Sequence, residues 1–182
     1  MIKIETERLQ IRNFAANDWP GLQAVISHYQ ASASAQYEAP WPTSSTEIQG
    51  ITTWFAGGDA YLCVALKATA TIIGLLAIER RQGEAEGVHN LGYIFHPAYQ
   101  GQGYATESCR AVMHYLFNEL AATAIHTGTH PANEASVRLL TKLGLRQINP
   151  GEFVLSRAEW QALASATGKP ENDGTKDGNP TR

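Results

Sequence analysis

Residues 91–108 constrain this chain more than any other stretch: Leu91-Gly92-Tyr93-Ile94-Phe95-His96-Pro97-Ala98-Tyr99-Gln100-Gly101-Gln102-Gly103-Tyr104-Ala105-Thr106-Glu107-Ser108. Tyr93, Ile94 and Phe95 favour a strand, and Pro97 stops it by removing a ladder donor. A glycine-bearing turn follows. From about Gly103 the apolar positions Ala105, Cys109, Val112, Leu116 and Leu120 recur at helical spacing. Strand, glycine turn and helix start make a natural anion holder. The first helical N–H groups have no partner within the helix, the peptide dipoles add positive charge there, and glycine lets an anion approach the backbone. A bare strand-to-helix connection is the alternative that the glycines alone leave open.

Three phosphate-binding patterns can be weighed. A P-loop needs Gly-Lys-Ser/Thr at the helix start, and Tyr104 follows Gly103. A dinucleotide fingerprint needs Gly or Ala where Thr106 stands and an acid about 20 residues on, where Ala121, Ala122 and Ala124 lie. The third pattern, Gln/Arg-x-x-Gly-x-Gly/Ala, is met by Gln100, Gly103 and Ala105.

With that loop, the chain resembles the GNAT N-acetyltransferase superfamily and, within it, the RimJ/RimL-like branch. Further motifs carry the likeness in order: Glu7-Arg8-Leu9-Gln10-Ile11-Arg12, Gly103-Tyr104-Ala105-Thr106-Glu107, Asn133-Glu134-Ala135-Ser136 with Leu143-Gly144-Leu145, and residues 153–160. The resemblance covers roughly residues 1–165 and implies an α/β (α+β) fold. Its central, mixed but mainly antiparallel twisted sheet has six to seven strands, flanked by about four helices. It also implies acetyl-CoA as co-substrate and an amine acceptor, either a peptide N-terminus or a small molecule.

The rest of the chain fits one domain. Its 182 residues suffice for a proper core. A net charge of -3 offers no general attraction to nucleic acid or anionic membrane. No leader h-region or membrane-spanning apolar run is evident. Cys63 and Cys109 sit in apolar patterns and read as reduced core residues. A cytoplasmic monomer or homodimer is the expectation, without a metal. His126 and His130 are spaced as ligands on a helix would be, yet here the spacing runs off a strand.

Spacing predicts a half-buried strand at 9–13, a helix capped by Asn17 or Asp18, and a second helix over 44–55 capped by Ser44 or Ser45. Two central strands follow at 60–66 and 71–78. Strands at 124–129, 145–148 and 153–156 and helices from Asn133 and over 157–165 complete the pattern. Residues 166–182 lack Val, Ile, Leu and Phe and are expected to be a disordered tail.

The resemblance distributes the chemistry over named residues. Phe95, His96, Gln100, Gly101, Gln102, Gly103, Tyr104, Ala105, Thr106, Asn133 and Ser136 would contact the coenzyme. A backbone N–H near Phe95 would hold the oxyanion. Ser136 would protonate the leaving thiolate, with Tyr93 and Tyr104 as rivals. Tyr37, Glu38 and Trp41 would shape the acceptor pocket, although Trp41 could equally pin a loop to the core. Many members of the branch carry Glu at the position of Asn90, and an amide cannot take a proton at neutral pH. The final hairpin is also clipped, at 147–152. Glu38, Glu79, His89, His126 and Glu152 remain base candidates. The missing Glu also motivates the alternative of a non-catalytic acyl-CoA-binding regulator.

Overall fold

The computed structural model describes residues 1–80 and 83–167. Its organising feature is a sheet that parts into two. Strands β1 (Lys3–Glu5), β2 (Leu9–Asn13), β3 (Tyr61–Leu66), β4 (Ile72–Ala77) and β6 (Gly92–Phe95) form an antiparallel sheet in the order β1-β2-β3-β4-β6. Strands β5 (Val88–His89), β7 (Ala124–Gly128), β9 (Glu152–Ser156) and β8 (Arg146–Asn149) form the second, with β5 and β7 parallel. The described residues thus hold nine strands where six to seven were expected. The additions are the short strands β1 and β5, too brief to show a period of two.

Helices cover both faces. On one side lie α1 (Trp19–Gln30) and α2 (Ser45–Ala56), packed on Cys63, Ala65, Leu75 and Ile94. On the other, α3 (Tyr104–Asn118) and α4 (Glu134–Lys142) bury Cys109, Val112, Met113, Leu116, Phe117 and Leu140 against Leu62, Val64, Ile73 and Phe95. Coverage of both faces explains why β3 and β4 read as continuous apolar runs. Helix α5 (Arg157–Thr167) stacks Trp160 on Phe117, with ring centroids 5.3 Å apart. It runs two residues past the expected end, so the tail expected from 166 starts inside a helix, and residues 168–182 lie outside the described residues.

Two local expectations need correction and a third holds. Asp18 does not cap α1 with its side chain. It accepts from Arg12 Nη1 at 2.6 Å, Arg12 Nη2 at 3.0 Å and the Ala15 N–H at 2.7 Å, fastening the turn before the helix to β2. Leu120 is outside α3 and 41% exposed, because the helix ends at Asn118. Phe117 takes the core position instead. Ser44 does cap α2, accepting from the Glu47 N–H while its hydroxyl donates back to the Glu47 carboxylate.

Candidate active site

The pairing of β6 with β4 sets the site's backbone geometry. The His96 N–H donates to the Ile73 carbonyl at 2.9 Å, just beyond the register pair Gly74–Phe95. At the other end the Asn90 N–H donates to the Glu79 carbonyl, also at 2.9 Å. Antiparallel alternation between these bonds turns the N–H and C=O of Tyr93 and Phe95 away from β4. They face the gap between the two sheets. The Thr127 hydroxyl of β7 still bridges that gap at Leu91, donating to its carbonyl at 2.9 Å. No register pairing joins β6 to β7 beyond it.

A cavity of about 400 Å³ lies beside β6, lined by that strand, by the loop and helix start after it and by one face of α4. It brings together Phe95, Gln100, Gly101, Gly103, Tyr104, Ala105, Thr106, Asn133, Ser136 and Glu38 from the expected set. The loop's shape follows from its glycines: Gly101 and Gly103 adopt φ of 72° and 85°, values that L side chains rarely take. Gly103 occupies the cap position of α3, and with no side chain there the first-turn N–H groups stay open. Gln100 Nε2 donates to the Phe95 carbonyl at 3.2 Å, joining the loop to the strand edge.

At the cavity's centre Tyr93 Oη and Ser136 Oγ are 2.6 Å apart. Burial raises the Tyr93 phenol above its ordinary range, outweighing the hydrogen bond to Ser136 that lowers it, so it stays protonated and able to donate. Ser136 is held by its helix: its N–H donates to the Asn133 side chain at 3.2 Å, and Asn133 thus caps α4. Elsewhere in the lining, desolvation raises the Glu38 carboxyl, partly offset by the Tyr29 phenol beside it. Tyr29 is itself pushed up to about 12, by burial first and the Glu38 charge second.

The remaining expected residues lie off the cavity. His96 accepts from the Ala98 N–H at 3.1 Å and packs its ring on His28, 4.2 Å between centroids. Gln102 Nε2 folds back onto the Ala98 carbonyl at 2.8 Å. Tyr37 stacks on His130 at 5.3 Å, and Trp41 packs on the core beneath α1 and α2. Glu79 accepts from Asn90 Nδ2 at 3.1 Å. Of the other base candidates, His89 Nδ1 meets the Ile78 carbonyl at 3.1 Å, His126 Nδ1 meets Glu84 at 2.8 Å, and Glu152 accepts from Asn149 at 2.7 Å. Among the described carboxylates only Glu38 lines the cavity.

Sequence reading missed Tyr29, Ser34 and Tyr99, and also one face of α4. Ala135, Arg138, Leu139 and Lys142 all line the cavity, at spacings of i, i+3, i+4 and i+7 from Ala135. That spacing is legible, but Arg138, Leu139 and Lys142 carry no motif of their own, and Ala135 lies in the motif at 133–136 without a contact of its own expected. Arg138 and Lys142 bring positive charge to the cavity.

This arrangement matches known proteins. The family model described as an acetyltransferase (GNAT) domain fits residues 8–146. The chain belongs to the GNAT acetyltransferase family. A curated relative, the uncharacterized N-acetyltransferase YnaD of Bacillus subtilis, is 30% identical over 145 residues, covering 79% of this chain and 82% of that protein. Among solved structures, a GNAT-family acetyltransferase from Bacillus anthracis superposes with a TM-score of 0.78 at 22% identity, over 86% of this chain and 99% of that one. A ribosomal-protein-S5-alanine acetyltransferase from Vibrio fischeri gives 0.72 at 16% identity, over 88% and 99%. At these identities the structural likeness speaks for the fold.

Proposed function

We propose that this acetyltransferase moves an acetyl group from acetyl-CoA directly to a primary amine, within a complex that holds both. The observation that carries this reading is the convergence, in one cavity, of an open strand edge, an open helix start and a Tyr93–Ser136 hydrogen-bonded pair. The residues fit the coenzyme's parts. N–H groups from Gly101 to Thr106 suit a diphosphate, with Arg138 and Lys142 supplying charge nearby. The N–H and C=O of Tyr93, with the remaining lone pair of the Phe95 carbonyl beside Gln100 Nε2, suit the pantetheine amides, as an added strand would, and leave the Phe95 N–H for the acetyl oxygen. Asn133 approaches the arm from the far side.

The amine nitrogen attacks the thioester carbon and the C–S bond breaks. The Phe95 N–H stabilises the negative oxygen, a kind of donor worth roughly 2.7–4 kcal/mol in other enzymes. The thiolate takes a proton from Ser136, which Tyr93 replenishes, or from Tyr93 itself. The proton lost by the amine passes to Glu38. Positioning supplies much of the rest, since well-oriented reactants reach effective molarities of about 10⁵–10⁸ M.

The acceptor is an α-amine of a protein N-terminus or a small-molecule amine of low pKa, in keeping with the RimJ/RimL-like motifs. Deprotonating a lysine at pH 7 costs about 4–5 kcal/mol, an α-amine only about 1–1.5. A site with one rim carboxylate suits the smaller cost. Thiol release from acetyl-CoA across N-terminal peptides, lysine peptides, polyamines, aminoglycosides and free amino acids tests the reading. Turnover with an α-amine or small amine is expected. No turnover with any amine favours the non-catalytic regulator and overturns the proposal.

A further inference from the structure

Two sequence motifs, Arg8 in the opening stretch and Glu107 at the start of α3, have no place in the chemistry above. The structure joins them. Arg8 grips Glu107 Oε2 from Nε at 2.7 Å and from Nη2 at 2.6 Å. Its own N–H donates to Oε1 at 3.0 Å, and the Thr6 hydroxyl donates to the same oxygen at 2.5 Å. Arg8 Nη1 also donates to the Gln102 carbonyl at 3.0 Å, and the guanidinium lies 4.2 Å over the Tyr104 ring. One side chain therefore touches the glycine loop, the first residue of α3 and the acid of its first turn.

Glu107 presents an electrostatic problem for an anion site. Burial works to raise its carboxyl, but the Thr6 hydroxyl, the Arg8 N–H and the Arg8 guanidinium outweigh this, so it is held below the ordinary glutamate range and is charged at neutral pH. A carboxylate in the first turn draws on the same positive helix end that a diphosphate would use. Uncompensated, it would repel the coenzyme.

We propose that Arg8 is a positioning residue for the coenzyme: it neutralises Glu107 and fixes the loop around Gln102 and Gly103, leaving the N–H groups of α3 open to the diphosphate. This rests on the acetyl-CoA reading above. Arg8 reaches the coenzyme through Glu107 and the loop, so it belongs to the binding geometry and not to the transfer step.

Charge reversal of the defect separates this role from plain packing. The dissociation constant of CoA is measured by titration calorimetry for wild type, Arg8→Lys, Arg8→Gln, Glu107→Gln and the Arg8→Gln/Glu107→Gln double variant, with the Tm of each. Arg8→Gln, which leaves Glu107 unneutralised, should weaken CoA about tenfold. Arg8→Lys, keeping the charge but losing the fork, should fall between it and wild type. The double variant should regain affinity to within about threefold of wild type, although its Tm is no higher than that of Arg8→Gln. Wild-type affinity in Arg8→Gln, or a double variant as weak as Arg8→Gln, overturns the proposal. Should Arg8→Gln not fold, Arg8→Lys binding CoA as wild type does would overturn it. If wild type itself fails to bind CoA, the donor assignment falls and this role with it.

Discussion

Tyr93 and Ser136, two of the three residues that the resemblance left as rivals for protonating the thiolate, share a 2.6 Å hydrogen bond. In the proposed transfer the two act as a unit: Tyr93 is the buried partner, held protonated in the resting site by desolvation, and Ser136 is fixed by the cap of its own helix. Tyr93→Phe and Ser136→Ala should each lower kcat by about 10²-fold with little change in KM for acetyl-CoA. Steady-state kinetics of the double variant should show no loss beyond the worse single. Glu38 makes a separate, pH-based prediction. Desolvation raises its carboxyl, so its basic form appears only above the ordinary glutamate range. The acid limb of kcat/KM for the acceptor should therefore lie above 4.5, and Glu38→Gln should abolish that limb while sparing CoA binding. At this scale the sequence was informative where a residue sits in an ordered motif, as with Gly103 and Asn133. It was silent on Tyr29, whose place among Leu22, Val25 and Ile26 looks like ordinary helix core. A phenol at the edge of a core and one aimed into a cavity have the same spacing.

Elements position the site through close backbone approach. Gly74 on β4 pairs with Phe95, and a Cβ there would lie 2.6 Å from Phe95 Cδ1 and 2.7 Å from the Ile94 carbonyl oxygen. Gly74→Ala should push β6 outward, destabilise the fold by about 1–3 kcal/mol in denaturant unfolding, and weaken CoA binding in step. The helical arm before α2 crosses the cleft differently. Tyr37 stacks on His130, while Glu38, the next residue in the chain, and Asn133, three residues after His130, both line the cavity. Tyr37→Ala should widen the acceptor end and raise kcat/KM for a bulky amine relative to a small one, with KM for acetyl-CoA unchanged. Competition assays between the two acceptors read this ratio. Helix α3 was legible because burial repeats along it at helical spacing, and β3 and β4 because cover on both faces makes each a continuous apolar run. The short strands β1 and β5, and the ring pair of Tyr37 with His130, arise from pairings distant in sequence.

For the molecule as a whole, the proposed function depends on two sheets that part beside β6. Thr127 holds them together at Leu91, and the gap opens beyond. The splay was not legible in the sequence, since no local pattern encodes a missing strand pairing. The helices and loops around that gap are fastened by ion pairs. Arg12–Asp18 ties α1 to β2, and Arg8–Glu107 ties α3 to the same region. Although burial pushes both carboxyls up, their hydrogen bonds outweigh it, leaving them below the ordinary values of 3.8 and 4.5. Groups depressed in the folded state add stability that is complete above those values and lost as pH falls through the lowered ones. Tm measured against pH should therefore drop in that acidic window, and Asp18→Asn should flatten part of the drop. The most direct test of the central claim follows backbone amides by ¹⁵N-resolved NMR during titration with CoA and, separately, with pantetheine. If the loop holds the diphosphate, the amides of Gly101 and Gly103 to Thr106 shift with CoA and stay put with pantetheine, while those of Tyr93 and Phe95 respond to both. Unmoved loop amides at saturating CoA, or no binding at all, would contradict it.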